Sequence, residues 1–315
     1  MDSAEALALV QRAVEAGRWS ADDHGGAVTF VRTSQIQRLW GGMGAVLSLE
    51  CSVDGEGGGK GAAVHELVAK RVQLPAGGHL SLGDQRKKDS YECEARFFEV
   101  MAAELNAAGL SVPRGLLVEH RADGLTILMS KLRGAGSWSM GQAETAKAVA
   151  FLAQMHGQTW GARADAAVAA GLQPQGSYWY LDTRPDEWDM MPSRGWEGRL
   201  RRMARALDER LKADPHQCIV HGDTKSDNMV WDSGVLSMCD FQYCGKATPM
   251  KDLAYLLCCA ANDGSDHEAE HLRAYLEVLR GVLLSRGEPP PSPESLQATL
   301  ELSYCDLARY LQIVT

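Results

Sequence analysis

The segment IVHGDTKSDNMVW (residues 219–231) constrains this chain more than any other stretch. Apolar runs at both ends read as strands, and the polar residues between them read as the connecting loop. Within that loop Asp223 follows a His-Gly pair, and Asn228 stands five residues further on. A further apolar run ends in CDFQ, which puts Asp240 at a neighbouring strand end. An Asp and an Asn held five apart can divide two tasks: the first orients a hydroxyl nucleophile and accepts its proton, and the second holds a divalent ion. Asp240 would supply the carboxylate that joins Mg²⁺ to nucleotide phosphates. Taken singly, these residues read equally well as loop caps; all three at this spacing, after a β run, point to phosphoryl transfer.

That chemistry demands a phosphate anchor upstream. ELVAKRV (residues 66–72) carries Lys70 in a strand, where it can neutralise phosphate oxygens, and a helical Glu94 can fix its ammonium. Glu92 competes with Glu94 but lies about 200° away around the helix; Glu94 shares its side with Phe98 and Met101, which should face the interior. The loop WGGMGAV (residues 40–46) offers Gly41, Gly42 and Gly44, whose backbone can approach phosphates closely. Its spacing is not G-x-G-x-x-G, and a plain hairpin turn is the competing reading. DGEGGGKGAA (residues 54–63) contains Gly-Lys but fails the P-loop pattern, so it reads as a polar hairpin loop.

Around these motifs the chain divides into two styles. Strands are expected near residues 34–40, 45–53, 66–72, 116–118 and 125–129, the last two joined by an Asp123-Gly124 turn. Phe98, Met101, Ala102 and Leu105 mark one helix over residues 90–110. After the Gly/Ser stretch at residues 133–141 nearly everything reads helical: residues 142–156, 196–211, 249–262, 267–286 and from 293 to the end, with short strands at 218–220, 229–231 and 235–238. The domains expected are therefore an N-lobe, 1–132, and a helical C-lobe, 133–315.

Composition narrows the partners. A formal charge of −9 disfavours nucleic acid and anionic lipid, and no apolar run reaches the length of a spanning helix. The N-terminal residues carry acids where a secretory signal needs bases, so a cytoplasmic protein is expected, with its eight cysteines as free thiols. The amphipathic end LARYLQIVT has no cap, which is compatible with a native chain continuing past Thr315.

VHGDTKSDNMVW, CDFQ, KDLAYLL (residues 251–257) and AFLAQMHGQTW (residues 150–160) together resemble the aminoglycoside phosphotransferase and choline kinase superfamily, and most resemble its ecdysteroid-kinase-like (CHK kinase-like) branch. The resemblance spans residues 40–257 and implies an α+β, bilobal protein-kinase-like fold: a small antiparallel-sheet N-lobe and a mostly helical C-lobe. It implies ATP and Mg²⁺ as cofactors, Asp223 as catalytic base, Asn228 and Asp240 as metal ligands, and Lys70 with Glu94 as the phosphate anchor. Asp252 matches an acid that braces the catalytic loop, with a helix cap as the alternative. Backbone from Met129 through Lys131 to Leu132 would meet the adenine edge.

The function expected is ATP-dependent transfer of the γ-phosphoryl group to a hydroxyl of a small-molecule alcohol substrate; the alternative is a nucleotide-binding pseudokinase scaffold. Only 12 residues separate Asp240 from Asp252, too few for a peptide-docking activation segment, so a protein acceptor is disfavoured. Residues 177–196 gather Tyr178, Trp179, Tyr180, Trp188 and Trp196 among acids. They could box a quaternary ammonium, line a pocket for a flat hydrophobic alcohol, or simply pack their own loop. Arg199, Arg201, Arg202 and Arg205 read as a solvated face or as a site for an anionic acceptor group.

Overall fold

Alternation of apolar and polar residues builds an antiparallel sheet in the first part of the chain, and a helix covers each of its faces. The computed structural model describes residues 1–19, 28–53, 63–74, 80–136, 139–262 and 266–314. These fall into two units, one of Met1–Ala103 with Pro113–Leu132, the other of Glu104–Val112 with Arg133–Thr315.

The first unit opens with α1 (Ser3–Glu15), a helix the sequence reading did not expect. Its signal was a capping box: Asp2 accepts from the Glu5 amide, and the Glu5 side chain accepts in turn from the Asp2 amide. Five strands follow, β1 (Val28–Arg38), β2 (Gly44–Val53), β3 (Ala63–Gln73), β4 (Gly115–Arg121) and β5 (Gly124–Ser130), paired antiparallel in the order β1-β2-β3-β5-β4. Leu9 and Val10 of α1 pack against Val31, Leu49, Leu67, Ala69 and Leu128 on one sheet face. Side chains alternate across a strand, so Lys70, next to Ala69, points to the opposite face. The polar loop expected at residues 54–63 lies almost wholly outside the described residues, which resume at Ala63.

The expected helix over 90–110 is two helices. α2 (Leu82–Val100) starts eight residues earlier, capped by Ser81, and breaks at Met101, whose φ of −127° is not helical; α3 (Ala102–Ala107) then resumes. Mostly charged residues in its first two turns had hidden the early start. Phe98, Met101, Ala102 and Leu105 are buried as expected. Trp40, expected at a strand end, instead begins a 3₁₀ turn, Trp40–Gly42.

The second unit adds β6 (Ala135–Gly136), α4 (Gln142–Gln158), α5 (Ala162–Ala169), α6 (Pro185–Met190), α7 (Gly195–Lys212), β7 (Cys218–Val220), β8 (Met229–Asp232), β9 (Val235–Met238), β10 (Gly245–Ala247), α8 (Met250–Tyr255), α9 (Glu268–Ser285) and α10 (Pro293–Val314). β7 pairs with β10, and β8 lies between β6 and β9. On α4, Val149, Leu152, Ala153 and His156 are buried. Of the apolar stripe expected on α7, Trp196, Leu200, Met203, Leu207 and Leu211, the last two are buried but Trp196 and Met203 are exposed, and Ala204 and Asp208 complete the inward face. The helix expected over 249–262 stops at Tyr255 and opens into a π-turn, Leu256–Ala260, that carries Cys258 and Cys259 on the surface.

No helix among the described residues is long and apolar enough to cross a membrane. All eight cysteines are free thiols.

Candidate active site

In the first unit the Lys70 ammonium lies 2.5 Å from Glu94 Oε2, and both side chains are buried, 7% and 3% exposed. Tyr91 adds its ring 5.4 Å from the same ammonium. Glu92 sits elsewhere, 39% exposed beside His120, so Glu94 is the residue that pairs with Lys70. Gly44 has φ +117°, and a Cβ there would fall 2.0 Å from the Arg71 carbonyl oxygen; the neighbouring strand alone is enough to demand glycine at that position. Gly41 and Gly42 occupy the 3₁₀ turn before it. Met129 is held inside the ladder, opposite Val68 and Gly115, and the ladder's last paired residue is Ser130. Lys131, just beyond, pairs with Glu66 at 2.6 Å.

In the second unit β7 delivers His221 into a loop gripped by Asp252 of α8. The Asp252 carboxylate accepts from the His221 amide at 2.7 Å, the Gly222 amide at 2.9 Å and His156 Nε2 at 3.1 Å. Its backbone carbonyl accepts from the Thr224 hydroxyl at 2.9 Å. Asp252 therefore braces the loop; it does not serve as a cap for its own helix. His156 is fully buried, and its Nδ1 lies 2.8 Å from the Tyr275 hydroxyl. Gly222 has φ +83°, and a Cβ would fall 2.2 Å from the Tyr243 carbonyl oxygen, so only glycine fits. His221 Nδ1 accepts from the Asp223 amide, which leaves Nε2 to donate to the Cys239 carbonyl at 3.0 Å.

Asp223, 4% exposed, closes the loop. Its Oδ2 takes the Lys225 ammonium at 2.9 Å and Asn228 Nδ2 at 3.0 Å. Asn228 Nδ2 also donates to the Asp223 carbonyl at 2.8 Å. Oδ1 is buried and has no hydrogen-bond partner among the described residues. Burial holds the Asp223 carboxyl above the usual aspartate range; Lys225 pulls it back, and the Asp240 charge adds to the rise. Burial pushes the Lys225 ammonium down, but the charges of Asp223, Asp240 and Asp227 outweigh it and leave the ammonium raised.

Asp240 follows Cys239, whose amide donates to the Asn228 carbonyl at 3.0 Å, so the two expected metal ligands are tied by backbone. Asp240 holds φ +64°, a left-handed conformation that costs a non-glycine residue about 1–3 kcal/mol. With the amide nitrogen of Asn228 committed to Asp223, its oxygen is the atom able to meet a cation. An amide oxygen and a carboxylate suit Mg²⁺, a hard ion that keeps waters and phosphates in its shell. Among the described residues no group of three His, Cys, Asp or Glu forms a ready-made metal centre.

Four of the five aromatic residues of the segment lie against the protein's own cations, and the fifth, Trp196, is exposed. Arg184 lies 5.4 Å from the rings of both Tyr178 and Tyr310, Lys251 4.1 Å from Trp179, Lys212 5.7 Å from Tyr180, and Arg205 4.6 Å from Trp188. The arginine run on α7 is correspondingly not just a solvated face: Arg201 donates to the Met191 carbonyl at 2.8 Å, and its own carbonyl accepts from the Trp188 indole at 3.1 Å. Tyr178 reaches the loop directly, since its amide donates to the Gly222 carbonyl at 3.3 Å and its hydroxyl lies 2.8 Å from that of Tyr255.

Sequence reasoning missed Lys225 and Tyr255. Lys225 stands inside the four-residue gap of the motif, where its charge was the only signal. Burial raises the Tyr255 phenol and the Asp223 charge raises it further, which marks it as a neighbour of that carboxylate. Burial, then Cys258 and Asp223, push the Cys259 thiol up to about 12.

A family model described as APH, phosphotransferase enzyme family, matches residues 67–290, well over half of the chain. No curated protein matches. Among solved structures the chain is similar to macrolide 2'-phosphotransferase MphH from Brachybacterium faecium, with 17% identity over 91% of this chain and 86% of that one and a TM-score of 0.51. It is also similar to amicoumacin kinase hAmiN, with 14% identity over 90% and 81% and a TM-score of 0.51. These likenesses show the protein-kinase-like fold. The chain belongs to the APH phosphotransferase enzyme family, a family of small-molecule kinases.

Proposed function

We propose that the protein transfers the γ-phosphoryl group of ATP to a hydroxyl of a small-molecule alcohol, with Asp223 as the base. One observation carries this reading: the Asp223 carboxylate has one oxygen saturated by Lys225 and Asn228 and the other buried without a partner. A buried acceptor oxygen left unpaired costs about 1–3 kcal/mol, and a substrate hydroxyl would relieve that cost. The hydroxyl proton passes to Oδ1 as the substrate oxygen bonds to the γ-phosphorus. The bond from the γ-phosphorus to the bridging oxygen breaks, and ADP departs.

Lys70, fixed by Glu94, anchors phosphate oxygens, and backbone at residues 129–132 meets the adenine edge. Asn228 and Asp240 would hold Mg²⁺, which supplies charge neutralisation on the phosphates. The solved hAmiN structure is a complex with AMP-PNP and Ca²⁺, in keeping with nucleotide and divalent ion use. The first unit serves the nucleotide, and the second serves catalysis and the acceptor. Within the family we read HGD-x4-N, D-F-Q and D-L-A as marks of the ecdysteroid-kinase-like branch.

The test is ADP release from Mg-ATP across a panel of choline, ethanolamine, sterol, sugar and aminoglycoside hydroxyls. Stimulation by a hydroxyl compound, abolished in Asp240→Ala, is the expected result. ATP binding without ADP release across the whole panel would point instead to a nucleotide-binding scaffold.

A further inference from the structure

Beside the base lies a cluster of four tyrosines from four separate segments. Tyr178 meets the rings of Tyr243, Tyr255 and Tyr310 at 5.3, 5.7 and 5.2 Å. The cluster is built onto the catalytic loop: the Tyr178 amide bonds the Gly222 carbonyl, one residue before Asp223, and the Ser177 amide bonds the Tyr243 carbonyl at 2.9 Å. Ser177 holds φ +84°, a conformation a serine keeps only when its surroundings fix it. Tyr178 and Tyr243 are partly exposed, Tyr255 and Tyr310 buried, so the cluster presents a surface beside the base.

Electron-rich ring faces grouped in this way ordinarily invite a cationic ligand. Here a side chain of the protein already fills that role. The Arg184 guanidinium lies 5.4 Å from both the Tyr178 and the Tyr310 ring, and two of its nitrogens are committed, Nε to the Tyr178 carbonyl at 2.9 Å and Nη1 to Glu187 at 3.2 Å. Its side chain is 20% exposed and that of Glu187 18%, so the pair is held in place and not trailing in solvent. A second ammonium entering the cluster would displace this guanidinium or meet its like charge. Because Glu187 already balances Arg184, the cluster offers little to an anion.

We infer that Arg184 is a specificity-determining residue: lying over the rings of Tyr178 and Tyr310, in a cluster hydrogen-bonded to the catalytic loop, it closes those ring faces to a cationic acceptor, and the acceptor is an uncharged alcohol. The inference rests on Asp223 being the base, and its test is chosen to stand apart from that reading.

Tetramethylammonium, titrated into the full-length protein at constant ionic strength and followed by tyrosine fluorescence, probes the ring faces without turnover. Wild type is expected to show no saturable binding. Arg184→Ala, and Arg184→Gln, which keeps a donor for the Tyr178 carbonyl, should gain saturable binding at least roughly tenfold tighter than any wild-type signal; adding Tyr178→Leu should remove it. Kanamycin and choline should leave wild-type ADP release at its acceptor-free rate. Saturable wild-type binding that Tyr178→Leu abolishes, folded Arg184 variants that gain none, or stimulation of ADP release by kanamycin or choline would each overturn the proposal. An active Asp223→Asn variant would instead remove the base assignment and leave the titration unaffected.

Discussion

The Lys225 ammonium stands 2.9 Å from Oδ2 of Asp223 and holds down the pKa of a carboxyl that burial pushes up. A base must be ionised to accept a proton, so turnover falls as pH drops through the Asp223 pKa. Lys225→Met removes the lowering contribution. The acid limb of the pH-rate profile should therefore move to higher pH, and Lys225→Arg should restore much of the difference. A profile unmoved by Lys225→Met would show that this ammonium does not tune the base.

Asp252→Ala strips two buried backbone amides, those of His221 and Gly222, of their acceptor. Each unpaired amide costs about 1–3 kcal/mol, so a loss of several kcal/mol is expected in denaturant unfolding, with turnover lost alongside. Asp252→Asn keeps one acceptor oxygen and should fall between. Wild-type stability in Asp252→Ala would mean that the loop is braced by other contacts.

Lys70→Met should destabilise the fold by about 3–5 kcal/mol, because it removes the ammonium paired with the buried Glu94 carboxylate. Lys70→Met/Glu94→Leu should recover most of that stability while still binding ATP weakly. The two effects separate in one experiment: thermal unfolding reports the pair, and ATP titration reports the anchor. A double variant no more stable than Lys70→Met would contradict the pairing energetics.

Gly222→Ala places a side chain at φ +83° with its Cβ aimed at the Tyr243 carbonyl. Backbone strain alone costs about 1–3 kcal/mol, and the contact forces Tyr243 or the loop to shift. Lower stability and reduced turnover are expected together; an alanine variant with unchanged kinetics would show that the close approach does not matter to catalysis.

How far these relationships can be read from sequence depends on how far apart the partners lie. Asp223, Asn228 and Asp240 are legible because one loop and one strand end fix their spacing. The Lys70–Glu94 partnership is legible because strand alternation and helical phase both point each side chain inward. The Trp179–Lys251 and Tyr178–Tyr310 contacts join segments far apart in the chain, and nothing in the periodicity of either segment names the other. On α7 the expected apolar face holds at Leu207 and Leu211 but not at Trp196 and Met203, which are exposed, while Asp208 is buried near Lys212, 2.6 Å away. The α1 capping box was written plainly in Asp2 and Glu5, but an N-terminal segment weighed only for targeting conceals a helix that covers the sheet. The π-turn after Tyr255 has no periodic signature at all.

The most direct test of the account is turnover by Asp223→Asn at saturating Mg-ATP with an acceptor identified by the panel. The account predicts ATP affinity within about twofold of wild type and a rate lower by about 10²- to 10⁴-fold, the usual worth of a general base. A variant that turns over at the wild-type rate would contradict it.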